Sequence, residues 1–419
     1  MVQDQIHAQI IKNLDKVNAW FKTYRRELNV PFYSSYDVRD SGFKVANVDA
    51  NIYPAGFNNI CLTDREHAGA LAKAYIEDHY GASCRRILIL SEEHTANPYY
   101  WENVRTLKNI ISDAGMEVKI AFPRLPGGET LDIKTATGET VQVHNAIIQD
   151  GEISIKDFKP DLVISNNDFS EQYQDWGAQI KTPINPPREL GWYQRKKSSY
   201  FKFYNELSTE FAKLIEVDPW LLTVETELVS DFDMSDEKSR RSLADKVDAM
   251  IARTREKYKE HKIDQEPFVF IKNNAGTYGL AVMKVTSGEN VMTLNNRSRT
   301  KMKAAKGGRD VEEVIIQEGL PSITRADGIT AEPAIYLLGC QLAGGFLRTH
   351  KEKDPTESLN SPGAVYKRLC TTDLNVSVQG HPLENVYGWT AKLGLLAIGR
   401  EAASMGVQFN GYKPGVKTC

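Results

Sequence analysis

The sequence predicts an α/β protein made of two domains. Three observations carry this. Strands alternate with helices up to about residue 180, the proline-rich stretch "KTPINPPRELGW" interrupts the pattern, and two long helical segments then lead into a run of strands. The expected division is an open α/β sheet over residues 1–183 and a second domain over residues 184–419.

The elements follow in order. Ile10, Leu14, Val17 and Phe21 recur at helical spacing in the first 25 residues, and a polar stretch from Ser34 to Cys61 reads as irregular. "DREHAGALAKAYIEDHYG" is a helix that Gly81 closes, and "NPYYWENVRTLKNIISDAG" runs from Pro98 near its start to Gly115 at its end. "RRILIL", "MEVKIAF" and "KPDLVISNND" are short apolar strands, and "LDIKTATGETVQV" is a hairpin turning at Thr-Gly. In the second half, "QRKKSSYFKFYNELSTEFAKLI" and "DEKSRRSLADKVDAMIARTREKYKEHK" are helices. Strands are expected at 268–272, 280–286, 313–318 and 334–349, the last turning at Gly344-Gly345.

Composition narrows the function classes. With 52 basic and 55 acidic residues, no excess of either sign points to nucleic acid or an anionic membrane as partner. The N-terminal residues are charged and amphipathic, and no apolar run approaches the ~20 residues of a membrane span. The five cysteines (61, 84, 340, 370 and 419) show no metal spacing and read as free thiols of a reducing compartment, so a cytoplasmic protein is expected. Homo-oligomerisation is left open.

No P-loop, dinucleotide fingerprint, HExxH or GxSxG occurs. What the chain carries instead is an ordered series. Lys197 lies near the start of a helix, and Lys272 ends an apolar strand against "NNAGTYG". "EVIIQEGL" closes in Gln317 and Glu318, Glu332 and Arg348 lie on the next strands, and Glu357 and Asn360 sit on a loop. This order resembles the ATP-grasp superfamily of carboxylate–amine ligases. The resemblance implies that Lys197 and Lys272 clamp a triphosphate from two sides, with the loop of Gly276, Thr277 and Gly279 offering backbone N–H groups. Gln317 and Glu318 would meet adenine and ribose, and Glu332, Glu357 and Asn360 would supply oxygen ligands to Mg²⁺. Arg348 would offer a planar fork to the moving phosphoryl group, making it and Lys272 the catalytic pair.

A narrower resemblance lies in "SSYDVRDSGFKVANVDANIYPAGFNNIC", "GWYQRKKSSYF", "FIKNNAGTYGLAVM" and "LNSPGAVYKRL". Together these are similar to the proteobacterial glutamate–cysteine ligase family of ATP-grasp type, over nearly the whole chain. The fold implied is a pre-ATP-grasp-like open α/β domain followed by an ATP-grasp domain. The implied reaction uses ATP to phosphorylate the side-chain carboxylate of L-glutamate, and the amine of L-cysteine then attacks the acyl phosphate. Among possible glutamate groups, Arg39 and Lys44 suit the carboxylates, and Asp49, Asn51, Asn58 and Asn59 suit the polar remainder; all of these equally suit turn capping. "NNDFS" (166–170) is a lesser candidate, and the basic run 297–309 is a candidate cover. One departure from the superfamily pattern is that Glu357 stands three residues before Asn360 rather than two, which leaves Asp373 and Asn375 as alternative metal ligands. Two other readings share these residues: a carboxylate–amine ligase for a different amino-acid pair, and a nucleotide-binding regulator without turnover.

Overall fold

A computed structural model describes the chain except residues 1, 126–127, 170–172, 192–193, 276–281, 296–298, 300–301, 303–310 and 415–419. Three larger sheets organise it, and the chain is mixed α/β as expected.

The first sheet joins the two ends of the sequence. β1 (Tyr33–Asp40) and β2 (Val45–Asn51) pair antiparallel, and β1 then pairs with β16 (Ile329–Leu338), β16 with β17 (Gln341–Thr349), and β17 with β18 (Val365–Leu369). The two-residue β15 (Arg325–Ala326) adds to β16. The expected boundary at residue 183 therefore does not separate the sheets, because 33–51 lie between 329–338 and the sheet edge. The stretch read as irregular is two strands. In β1, Tyr36 and Val38 join the main apolar core, while Asp37 and Arg39 alternate with them on the other face. A polar face that is itself buried hides the apolar signal that marks most strands.

The turn placed at Gly344-Gly345 falls instead at residues 339–340, and both glycines lie inside β17. Gly344 has φ +140°, next to a register shift in the pairing with β16. Gly56 has φ +144°, and a Cβ there would sit 2.3 Å from Tyr336 Oη, so the chain of "YPAGFNN" passes Tyr336 closely.

The second sheet is the open α/β unit. β10 (Ile184–Asn185), β9 (Leu162–Asn166), β3 (Arg86–Ser91) and β4 (Glu117–Phe122) run parallel. β6 (Thr140–Asn145) adds parallel to β4, and β5 (Thr130–Lys134) pairs antiparallel with β6. Ile87, Leu88, Ile89 and Leu90 are all fully buried, as a parallel strand covered on both faces requires. The helix Pro98–Asp113 begins at Asn97, whose side chain accepts from the N–H groups of Tyr99 and Tyr100. Two small hairpins, β7 (Ile147–Gln149) with β8 (Glu152–Ser154) and β19 (Asn375–Val378) with β20 (His381–Glu384), complete the minor strands.

The third sheet is antiparallel in the order β11 (Thr226–Val229), β14 (Val314–Glu318), β12 (Val269–Asn273), β13 (Val282–Val285). Helix Glu237–Glu260 covers it, Leu243, Val247 and Met250 meeting Val269, Ile271 and Ile316 in a core separate from the main one. Among the described residues no helix is long and apolar enough to cross a membrane.

Cys61 and Cys370 form a disulfide, with Cα atoms 5.4 Å apart and 309 residues between them. This corrects the expectation of free thiols for that pair, and Cys340 is disulfide-bonded as well, since sequence spacing does not reveal a contact such as the one made by β18 folding back to the start of helix Leu62–Tyr80. Cys84 is a buried free thiol.

Candidate functional site

Two cavities, of about 300 Å³ and about 70 Å³, open between the three sheets and the start of helix Lys197–Leu214. They share Asp37, Asp49, Lys197 and Asn360 as a common wall. The wide one also reaches Glu92, Asn166 and Asp168, just past the carboxyl ends of β3 and β9, where open α/β sheets commonly bind ligands.

The common wall comes from register. Glu332 on β16 lies opposite Arg348 on β17, and Asp37 on β1 lies opposite Asp49 on β2. Arg348 Nη1 donates to Asp37 Oδ2 at 2.8 Å and to Glu332 Oε1 at 2.5 Å, and its Nη2 donates to Asp37 Oδ1 at 3.2 Å. Arg39 Nη2 lies 2.7 Å from Glu332 Oε2 and also donates to the Glu357 carbonyl. Burial alone would raise the Glu332 carboxyl, but Arg39 and Arg348 outweigh it and hold the group below its ordinary range. Asp37 goes the other way, burial winning over its single arginine partner. Arg348 stays protonated, because Asp37 and Glu332 more than reverse the effect of burial on it.

On the β2 side, Lys197 Nζ bridges to Asp49 Oδ1 at 2.5 Å. Asp49 would rise on burial but is held low by Lys197, Lys272 and Arg195. Lys197 is the first residue of its helix, and Asn274 fixes it there: the Asn274 carbonyl accepts from the Lys197 N–H and its Oδ1 from the Ser198 N–H, both at 2.8 Å. Asn274 thus caps an otherwise uncapped helix start and ties the beginning of the glycine-bearing loop to it.

Lys272, the penultimate residue of β12, lies in the narrow cavity. Its Nζ donates to Gln317 Oε1 at 2.6 Å and to the Val48 carbonyl at 3.0 Å. Burial pushes its ammonium down to about 8, against the pull of Asp49. Gln317 and Glu318 line the same narrow cavity beside Phe270 and Leu320.

The structure thus brings together Lys197, Lys272, Gln317, Glu318, Glu332, Asn360, Arg39 and Asp49 around the narrow cavity, and Arg348, Asn51 and Asn59 around the wide one. Three expected residues are not brought in. Lys44 is fully buried in an ion pair with Glu318 Oε2 at 2.6 Å, under the Trp220 ring, and lines neither cavity. Asn58 faces away and donates to Asn59 Oδ1. The Glu357 carboxylate folds onto its own loop, accepting from Lys353 Nζ at 2.8 Å and the Asp354 N–H at 3.0 Å, so only its carbonyl faces Arg39. Asp373 likewise accepts from the Cys370 N–H and lines neither cavity. Gly276, Thr277 and Gly279, and nearly all of 297–309, lie outside the described residues.

Sequence reasoning missed Asp37, Asn274, Tyr336 and Arg195. The alternation Ser35, Asp37, Arg39 against Tyr36 and Val38 is the signal that would have found Asp37. Nothing local marks the others, since their roles are set by distant strands. As for metal, Asp37, Glu332 and Asn360 form an all-oxygen set along the narrow cavity, the donor type Mg²⁺ takes, although both Glu332 oxygens already meet arginines.

The glutamate–cysteine ligase family model matches residues 7–402. A crystal structure from Methylobacillus flagellatus KT, assigned as a gamma-glutamylcysteine synthetase, is 32% identical, covers 95% of each chain and superposes with a TM-score of 0.81. A glutathione synthetase-like effector of Globodera pallida is 11% identical over 87% of this chain and 84% of its own, with a TM-score of 0.40. D-alanyl-alanine synthetase A of Vibrio cholerae is 11% identical over 78% and 82%, with a TM-score of 0.35. The last two likenesses are too distant to carry an argument. No curated protein matches significantly. On the family match and the first of these structures, the chain is a ligase that belongs to the glutamate–cysteine ligase family.

Proposed function

We propose that the protein uses ATP to activate the side-chain carboxylate of L-glutamate and joins it to the amine of L-cysteine, giving γ-glutamylcysteine, the first step of glutathione synthesis. The observation that supports this most is the common wall of the two cavities. It sets Lys197 between a narrow slot that also holds Lys272 and Arg39 and a wide polar chamber that holds Arg348. A carboxylate resists attack because its charge repels nucleophiles and oxide leaves poorly; transfer of the γ-phosphoryl group removes both obstacles. ATP lies in the narrow cavity with its phosphates toward Lys272 and Lys197, and Gln317 and Glu318 meet the base and ribose. Glu332 and Asn360 would hold Mg²⁺, which supplies charge neutralisation at the phosphates. Arg348 is preset by Asp37 and Glu332, so little reorganisation is needed as charge develops on the transferring group. The cysteine amine then attacks the acyl carbon in the wide cavity and phosphate leaves. The arrangement of clamp, slot and chamber is the ATP-grasp reading of this fold.

The test is ADP release with ATP and Mg²⁺, glutamate and cysteine being added singly and together, beside Lys272→Ala. Release that needs both amino acids, and fails in the variant, is expected. Release with another pair would replace the substrates and keep the mechanism; ATP binding without release under any pairing would overturn turnover itself.

A further inference from the structure

A residue lining the wide cavity carries a buried acceptor with no donor. Asn166 closes β9, is 3% exposed and lines this cavity. Its Nδ2 donates to Tyr33 Oη at 2.7 Å and to the Pro54 carbonyl at 3.5 Å. The proton count fixes this orientation of the amide. Tyr33 Oη gives its own proton to the Ser165 carbonyl at 2.6 Å, so toward Asn166 it can only accept. The NH₂ must therefore sit at Tyr33, and Oδ1 is left buried without a partner. A buried acceptor without a donor calls for a partner from outside the chain, whether a water, an ion or a ligand.

The surroundings say what kind of donor fits. Glu92 and Asp168 line the cavity at the ends of β3 and β9 with Asn166, and Lys197 and Arg348 line it from the start of a helix and from β17. Glu92 Oε2 lies 2.6 Å from His94 Nε2, and its Oε1 accepts from the Asp168 N–H at 3.4 Å, which holds the two acidic residues beside each other. The cavity thus has carboxylates and an amide oxygen at the ends of β3 and β9, and its cations Lys197 and Arg348, each paired with an aspartate, at the start of helix Lys197–Leu214 and on β17. An amino acid whose side-chain carboxylate reacts beside these cations has its α-ammonium several bonds away. The amine of the second substrate cannot fill the acidic end, because it must reach the acyl carbon. A thiol is a weak donor and gains little from neighbouring carboxylates.

The geometry points to Asn166 as the residue that recognises the α-ammonium of the carboxylate substrate, Oδ1 accepting one of its hydrogens. This rests on the glutamate reading above and deepens it. Asn166 then decides whether a dicarboxylate is accepted with or without an amino group, since a site built around a hydrogen bond rejects analogues that cannot make it.

The test compares kcat/KM for glutamate with that for glutarate, which lacks the amino group, with cysteine saturating. Wild type, Asn166→Leu, Asn166→Ala and Asn166→Asp are each measured. Wild type is expected to prefer glutamate. The Leu and Ala variants lose that preference by at least about tenfold, through a higher KM for glutamate with glutarate turnover preserved. The Asp variant, which keeps an acceptor, retains it. Three results would overturn the assignment: an unchanged ratio in Leu and Ala, a parallel fall for both dicarboxylates with Asp no better, or a rise confined to the KM for cysteine. Should Leu and Ala fail to fold, Asp decides, since loss of preference with its acceptor in place rejects the role. If wild type itself shows no turnover with glutamate and cysteine, the functional reading has failed. Stabilisation of wild type against heat by glutamate but not glutarate, lost in the folded Asn166 variants, then judges Asn166 separately.

Discussion

Two groups of buried charges lie near each other and look alike in composition, yet they differ in use. In one, Arg348 and Arg39 share Glu332, and Asp37 closes the set; each charge meets at least one opposite partner and the group fronts the cavities. In the other, Lys44 and Glu318 form a single pair, with Lys44 sealed beneath Trp220 and burial pressing its ammonium down against the pull of Glu318. Only Glu318 of this pair lines a cavity. The difference shows that a lysine can be buried beside a carboxylate that lines a cavity without lining it itself. Burial and charge do not define a site; a route to solvent or substrate does.

Breaking the closed pair should have the largest effect. Lys44→Met leaves Glu318 buried without a cation, and the unfolding free energy from urea titration is expected to fall by about 3–5 kcal/mol. If Lys44 touched substrate instead, stability would hold while a KM moved. The open network responds differently: Arg348→Lys keeps the charge but not the fork, so folding survives while kcat for ADP release falls about 10²–10³-fold. An unchanged kcat would make this network as structural as the Lys44 pair.

A smaller effect is expected at Lys272. Removing one charge-assisted contact, worth about 1.5–3 kcal/mol, should weaken ATP binding by roughly 10- to 100-fold in Lys272→Ala, as read by calorimetry. The smallest is a pH dependence. The Lys272 ammonium titrates near 8 because burial disfavours its charge. Below that pH it is charged and attracts phosphate; above it the attraction fades. ATP affinity should therefore decline as pH rises past about 8, with proton uptake on binding near the midpoint. Lys272→Arg should flatten that decline, because arginine does not lose its proton in this range. A wild-type affinity independent of pH between 7 and roughly 9.5 would show that Lys272 does not meet the phosphates.

Much of this was legible in the chain. The parallel strands of the open sheet, the helix start at Pro98, the helix that follows Lys197 and the strand that bears Lys272 all show in local pattern, because one face or both must be apolar. Lys197, Lys272, Glu332 and Arg348, singled out from their order, do come to line the two cavities. Their partners were not legible. Asp37 belongs to a strand whose second face is polar and buried, so it reads as a loop, and the Cys61–Cys370 disulfide joins segments that no spacing rule connects. Glu357 and Lys44 were misplaced for a related reason: a charge next to a motif has no direction until the backbone gives it one.

The sheet that carries Asp37 and Arg348 has a consequence for synthesis. Its central strand β1 leaves the ribosome early, yet its neighbour β16 begins only at Ile329. At about 5–20 residues per second, roughly 15–60 s pass before the pairing that faces Asp37 toward Arg348 can form. During that interval Tyr33–Asp40 is an unpaired edge with a buried-type apolar face, open to false partners. The open sheet, complete once Asn185 has emerged, is the part of the nascent chain able to fold first, and the face that carries Asp37 and Arg348 is among the last to exist.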